Sequence, residues 1–313
     1  MRRICVVLTT RGNFAKMRTA MAAIAAHPEL ELQVAVGGAL LNRQSAIVEE
    51  IKSQGFIIEA TLDYMHSDET PEGIGASSAR CLVQAGEMLG KLQPDVLMVI
   101  ADRYEALVLA QAALYRNVRI AHLEGGELSG SIDEHIRHAI TKLAHYHFPS
   151  SQEAAERIAR LGEPVESIVA VGSPSFDLLI EGADRGLCRL RERLAAQPAV
   201  DLDRPFLLVS QHPVVTEYDE AQAQYRVLAE CLMLLGMPAI LIWPNNDAGA
   251  QAISEPLAAL QARRDAPPLA VVAGLPIEEY GAALRGTVCL VGNSSSGVRE
   301  AAFLGTPAVN IGS

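Results

Sequence analysis

The chain has 313 residues, half of them hydrophobic but only 4% aromatic, and a formal net charge of -11. That length exceeds what one hydrophobic core usually fills, so two domains are expected, and the acidic balance offers no basic footprint for nucleic acid. The longest apolar runs, such as Val96 to Ala101 and Ala239 to Trp243, fall far short of the ~20 residues of a membrane span, and Ile4 to Leu8 is too short for the apolar region of a signal peptide, so a cytoplasmic, soluble chain is expected.

In chain order, short apolar runs alternate with helical segments. The strand Ile4 to Leu8 leads to a helix at Phe14 to Ala26, then a strand Leu32 to Val36, a helix Ala46 to Gln54 and a strand Ile57 to Ala60. A stretch rich in Asp, Glu, Gly and Ser, 63–76, reads as a mobile lid before the helix Ser77 to Leu92. The strand Val96 to Ile100, helix Tyr104 to Tyr115 and strand Arg119 to Leu123 follow. Then come a helix Ser131 to Leu143, a strand His147 to Pro149, a helix Glu153 to Leu161 and a strand Ile168 to Val171. This βα rhythm with continuously apolar strands predicts a parallel sheet covered on both faces.

Gly172-Ser173-Pro174 marks a domain boundary near 173, giving an N-terminal Rossmann-like domain over 1–173 and a second over 174–313. The second domain carries a helical segment and then strands at Phe206 to Val209, Ile240 to Trp243, Ala270 to Val272, Val288 to Val291 and Ala308 to Ile311. An α/β unit ordinarily continues into a covering helix after such a last strand, so the C-terminal end reads as truncated at Ser313. Cys5, Cys81, Cys188, Cys231 and Cys289 are scattered without CxxC spacing, as expected of reduced thiols rather than a metal or redox site.

Strand ends carry the chemistry. Val96 to Ile100 runs into Ala101-Asp102-Arg103, and Arg119 to Leu123 runs into Glu124-Gly125-Gly126-Glu127. The carboxyl edge of a parallel sheet is where ligands bind. On the next helix Ile132, Ile136, Ile140 and Leu143 form the expected buried stripe, leaving Asp133 and Arg137 one turn apart on a neighbouring face. Taken singly, Asp102 is a helix cap, Glu127 a solvated loop acid and Asp133 with Arg137 a surface ion pair. Asp102, Glu124 and Asp133 converging on one edge instead make acid and base roles available together.

In the second domain Gln211-His212-Pro213 puts an imidazole at a strand end, and Pro244-Asn245-Asn246 forms a turn with amides suited to a base or ribose. Cys289 to Glu300 reads as strand, small-residue turn and helix: Ser294, Ser295 and Ser296 and the free amides of the helix start suit phosphate oxygens, and Glu300, about one turn in, suits ribose hydroxyls. Arg11, after the first strand, supplies a cation beside another helix start.

These motifs together resemble the hydrolysing UDP-N-acetylglucosamine 2-epimerases, especially the epimerase domain of the bifunctional epimerase/N-acetylmannosamine kinase. The resemblance rests on Asp102-Arg103-Tyr104-Glu105, on Ala121-His122-Leu123-Glu124-Gly125-Gly126-Glu127 through Ile132-Asp133-Glu134 to Arg137 and His147, on Gln211-His212-Pro213, on Pro244-Asn245 and on Gly292 to Glu300. It implies a glycosyltransferase-B-like fold with UDP in the interdomain cleft, no cofactor, no metal in catalysis, and homo-oligomers, dimeric or tetrameric. It further implies catalytic roles for Asp102, Glu124, Asp133 and His212, and UDP-sugar binding by Arg11, Arg103, Arg137, Asn245, Ser294, Ser295, Ser296 and Glu300. The family reaction eliminates UDP through a 2-acetamidoglucal and adds water to yield N-acetylmannosamine for sialic-acid-type sugars. The related alternatives are a UDP-2,4-diacetamido-trideoxy sugar as substrate, or sugar-nucleotide binding without turnover. Partners are accordingly a UDP-sugar, with no nucleic acid and no membrane.

Overall fold

In the computed structural model, which describes residues 1–41, 47–66, 70–129, 132–195, 200–212, 220–243 and 250–311, packing divides the chain into Met1–Asp177 and Leu178–Ser313. The first unit holds six parallel strands: β1 (Arg2–Leu8), β2 (Leu30–Gly37), β3 (Ile58–Leu62), β4 (Val96–Ile100), β5 (Arg119–Leu123) and β6 (Tyr146–Phe148). Their spatial order is β3-β2-β1-β4-β5-β6. Helices cover both faces, which is why the central strands β1 and β4 carry continuous apolar runs, whereas the edge strand β3 alternates. Val6 and Leu8 pack under α1 (Arg11–Ala26) and α2 (Ile47–Ser53), while Cys5 and Val7 face α3 (Pro71–Leu92), α4 (Tyr104–Tyr115) and α5 (Ile132–Leu143). The direction of winding reverses between β1 and β4, so the crevice of this sheet opens where Thr9 and Asp102 follow those strands.

Three expectations change. α3 begins at Pro71, capped by Thr70, whose side chain accepts from the Gly73 amide at 3.1 Å. A cap followed by Pro at the first helical position fixes a helix start, so much of the stretch read as a lid is helix, and 67–69 lie outside the described residues. Ile168 to Val171 forms no strand: one bridge joins Ile168 to His147, and Val169 donates to the His147 carbonyl at 2.9 Å. Val169 and Val171 are half exposed there, at the open edge beyond β6, where no further ladder exists among the described residues. On α5 the buried residues are Arg137, Ile140 and Thr141, whereas Ile132 is exposed, so this helix turns a partly polar face inward.

After α6 (Gln152–Arg160), the chain enters α7 (Pro174–Glu181), inside which the division into units falls, and α8 (Ala183–Leu194). The second unit has β7 (Leu207–Ser210), β8 (Ala239–Ile242), β9 (Leu269–Val272), β10 (Cys289–Gly292) and β11 (Ala308–Asn310), all parallel, in the order β11-β10-β7-β8-β9. α8 and α11 (Ile277–Gly286) cover one face; α9 (Ala221–Leu235) and α10 (Ala250–Ala262) cover the other. Winding reverses between β7 and β10, and that juxtaposition sets His212 beside the serine turn. All five cysteines are unpaired, with Cys5 and Cys81 buried and Cys289 half-buried.

Candidate active site

Ile100 and Leu123 are partners in the β4–β5 ladder, so the residues that follow them emerge side by side at the carboxyl edge. Both exits use left-handed backbone at residues other than glycine: Ala101 has φ +62° and Glu124 φ +55°. Such conformations are uncommon outside Gly, Asn and Asp and persist where the surroundings enforce them. Here the Ala101 amide donates to the Leu123 carbonyl at 3.0 Å and the Glu124 amide to the Phe148 carbonyl at 3.0 Å, so each turn is bonded to the next strand. Gly125 and Gly126 complete the second turn. A Cβ on Gly126, at φ +80°, would stand 2.5 Å from the Ala154 carbonyl oxygen, a contact that backbone cannot relieve.

Glu124 is a buried carboxylate, 1% exposed. Lys16, on α1, donates to its Oε2 at 2.6 Å, and Ser173 donates to its Oε1 at 2.8 Å. Because the Ser173 hydrogen is committed to the carboxylate, Ser175 donates to the Ser173 oxygen across 2.9 Å. The carboxylate is therefore held in one orientation by groups from two separate segments. Asp102 is more open, and its Oδ2 accepts from the Arg137 guanidinium, whose side chain is 6% exposed. Arg137 also donates to the Glu127 carbonyl at 2.7 Å. Its bonds run to Asp102 and to the loop after β5, so the Asp133–Arg137 surface pair gives way to a part-buried Arg137–Asp102 pair. Asp133 lies exposed in the first turn of α5, one turn before Arg137.

Arg103 stays exposed at the crevice, its guanidinium bonded to buried Glu105 (Nε to Oε2 3.1 Å) and lying 6.0 Å from the Tyr104 ring centroid. Between the ends of β1 and β4, Thr9, Asn13 and Arg103 line a small crevice. Asn13 fixes its floor: its Oδ1 accepts from the Thr9 hydroxyl at 2.8 Å and from the Thr10 amide at 3.2 Å, while Thr10 caps α1. Arg11 is the first residue of that helix.

In the second unit, His212 follows β7, and the Asn293 side chain brackets its backbone, accepting from the His212 amide at 2.7 Å and donating to its carbonyl at 2.8 Å. Gly292 makes this approach possible: at φ +144°, a Cβ there would lie 2.0 Å from the Ser210 carbonyl oxygen. Ser294 caps a 3-10 turn over Ser295–Gly297, and α12 (Glu300–Leu304) starts at Glu300 itself rather than a turn earlier. The three serines differ. Ser295 is exposed; Ser296 is buried and bonded to the Tyr280 hydroxyl and, at 2.8 Å, to Ser294 Oγ. Burial is the main cause that pushes the Tyr280 phenol up to about 12, so it stays protonated and able to donate. Pro213, Pro244 and Asn245 lie outside the described residues.

Lys16, Ser173, Ser175, Asn293 and Tyr280 are thus site residues that sequence reading did not single out. Among the described residues, no group of three or more His, Cys, Asp or Glu side chains could hold a metal ion, and no helix is long and apolar enough to cross a membrane.

The chain is similar to known proteins in sequence and in fold. The chain is 31% identical over 313 residues to a UDP-N,N'-diacetylbacillosamine 2-epimerase (hydrolyzing) of Legionella pneumophila, covering 100% of this chain and 81% of that one. It is 30% identical over 317 residues to a UDP-N-acetylglucosamine 2-epimerase of Neisseria meningitidis serogroup B, covering 100% and 80%. Among solved structures, that of UDP-GlcNAc 2-epimerase from Neisseria meningitidis bound to UDP-GlcNAc superposes with a TM-score of 0.84 at 14% identity, over 98% of this chain and 82% of that one. This establishes the expected glycosyltransferase-B-like fold class. The family model described as UDP-N-acetylglucosamine 2-epimerase matches residues 22–313. By both sequence and fold, the chain belongs to the UDP-N-acetylglucosamine 2-epimerase family.

Proposed function

We propose that the chain is a cytoplasmic hydrolysing 2-epimerase that converts UDP-N-acetylglucosamine and water to N-acetylmannosamine and UDP, supplying sialic-acid-type sugar synthesis as a homo-oligomer. The observation that carries this reading is the pair of strand-end acids: Glu124, buried and oriented by Lys16 and Ser173, beside Asp102, more open and held by Arg137. Two carboxylates in such different surroundings suit a reaction that needs a base and then an acid.

In the first step a carboxylate of the Asp102, Glu124 and Asp133 set takes the proton from C2. The C1–O bond to UDP breaks with its electron pair leaving on the diphosphate, and a C1=C2 double bond forms. Water then adds its oxygen to C1, giving up a proton to a carboxylate of the set, while a protonated carboxyl of the set delivers a proton to C2 from the opposite face, giving the inverted, free sugar. Ser294 and Ser295, the amides of the serine turn, His212, Asn245, Arg11 and Arg103 receive the departing UDP, and Glu300 accepts from ribose hydroxyls. Arg137 serves chiefly by holding Asp102. Water as the acceptor of C1, rather than returning UDP, is supported by the hydrolyzing activity for which the Legionella relative is named.

That relative also favours a second substrate, a UDP-2,4-diacetamido-trideoxy sugar. Incubating the full chain with both UDP-sugars and resolving products by mass spectrometry tests the reading. Free UDP with free N-acetylmannosamine from UDP-N-acetylglucosamine is expected. UDP-N-acetylmannosamine accumulating without free UDP refutes hydrolysis, and turnover of the diacetamido sugar alone assigns the second substrate.

A further inference from the structure

One fully buried side chain between the two acid turns has no place in the chemistry above. His122, on β5, is 0% exposed. Its Nε2 lies 2.8 Å from the carbonyl oxygen of Ala101, the left-handed residue just before Asp102. A carbonyl only accepts, so Nε2 carries the hydrogen. On the other side Nδ1 lies 3.2 Å from the Thr141 hydroxyl, one turn along α5 from the arginine that pairs with Asp102. Burial pushes the imidazole down to about 4, against the pull of Asp102 and with the help of Arg137 and His147, so it is neutral and Nδ1 accepts. The Thr141 hydroxyl also lies 3.0 Å from the Arg137 carbonyl, but it has one hydrogen, and the ring nitrogen is the acceptor that would otherwise go unmet. The ring also touches the second turn: a Cβ on Gly125 would stand 2.9 Å from Nδ1 and 3.1 Å from Thr141 Oγ1.

We propose that His122 is a positioning residue for the acid pair, holding the Ala101–Asp102 turn through its Nε2–H, tying that turn to the Arg137 segment of α5 through Thr141, and setting the path of Glu124-Gly125 by its bulk. Only a side chain that donates on one edge and accepts on the other fits between a carbonyl and a hydroxyl already anchored in a helix. Phe keeps the bulk and loses both bonds; Gln keeps a terminal donor able to reach the Ala101 carbonyl. The catalytic part of this inference rests on the reading that these acids act on the sugar.

The test uses the full chain. In nitrogen-15 imidazole spectra, one ring, absent in His122→Gln, is expected as the neutral Nε2–H tautomer from pH 7 to 5; an Nδ1–H tautomer or titration near the ordinary value overturns the proposal. With UDP-N-acetylglucosamine, His122→Phe is expected to lower kcat about 100-fold with KM within about threefold, since misplacing a catalytic group by an ångström costs that much. His122→Gln should recover about tenfold of that loss, as regaining one bond to a buried carbonyl predicts. A folded His122→Phe with wild-type kcat, or a His122→Gln no better than His122→Phe, overturns it. Should His122→Phe not fold, Thr141→Val decides: a fall in kcat of about fivefold supports the relay, and an unchanged kcat overturns it. Wild-type chain that releases no UDP refutes the functional reading alone. A crystal structure of His122→Phe, or of Thr141→Val in its stead, then decides the positioning by whether Ala101 leaves the left-handed region and Arg137 separates from Asp102; an unmoved turn overturns the proposal.

Discussion

Replacing Lys16 with Met keeps most of the aliphatic stem and removes the ammonium 2.6 Å from Oε2 of Glu124. Breaking a buried ion pair from one side costs about 3–5 kcal/mol, because the remaining charge keeps its desolvation penalty and loses its compensation. The low end, about 3 kcal/mol, applies here, since the Lys16 side chain is 27% exposed and water can enter the space it leaves, while Glu124 at 1% has no other route to solvent. Glu124→Gln alone costs about 1 kcal/mol, since the freed ammonium can turn outward into water. The double variant is then expected within about 1 kcal/mol of wild type, a coupling of about 3 kcal/mol in a double-mutant cycle. Urea unfolding of the full chain, followed by far-ultraviolet circular dichroism at pH 7.5, measures all four proteins. A Lys16→Met protein within about 0.5 kcal/mol of wild type, or strictly additive effects, would show that Lys16 does not compensate the Glu124 charge.

Other consequences follow from single contacts. His122 lies near 4 when folded and 6.5 when unfolded, so below pH 6.5 the unfolded chain binds the proton that the fold refuses. Wild type should therefore lose about 3 kcal/mol between pH 7 and 4 through this group, and the slope should be shallower by that amount in His122→Gln; parallel pH profiles of stability would contradict it. Gly292→Ala places a methyl 2.0 Å from the Ser210 carbonyl oxygen in a backbone conformation L-residues avoid. A cost of about 3 kcal/mol is expected in urea unfolding, and a neutral effect would show that the β7–β10 junction can part. Tyr280→Phe deletes the hydroxyl bonded to Ser296 and should weaken UDP binding about fivefold by calorimetry, the worth of one hydrogen bond. Unchanged affinity would remove Tyr280 from the support of the serine turn.

The strands were legible because sheets covered on both faces demand continuous apolar runs, and β4, β5 and β10 lie where such runs occur. Asp102, Glu124 and His212 were legible for a related reason: winding order sends the strand ends of each sheet to that sheet's own crevice, and each residue lies within two positions of a strand end. What sits behind them was hidden, because its spacing obeys no local period. Lys16 reaches Glu124 from 108 residues away, and Ser173, in a Gly-Ser-Pro segment that reads as a linker, reaches it from 49. The apolar stripe predicted on α5 misplaced Ile132 for the same reason. Periodicity credits only hydrophobic residues, whereas this helix buries Arg137 and Thr141 against Asp102, just after β4, and His122, on β5. Ile168 to Val171 has the composition of a strand but sits beyond the sheet's last partner, and composition carries no information about which strand is outermost.

If the strand-end acids remove the proton from C2 as UDP departs, proton NMR of the full chain with UDP-N-acetylglucosamine in deuterium oxide will register the exchange. Wild type is expected to release free UDP and N-acetylmannosamine carrying deuterium at C2, and Glu124→Gln, which should still bind UDP, is expected to incorporate none. Retention of hydrogen at C2 in the wild-type product, or undiminished deuterium incorporation by Glu124→Gln, would contradict removal of that proton by these acids.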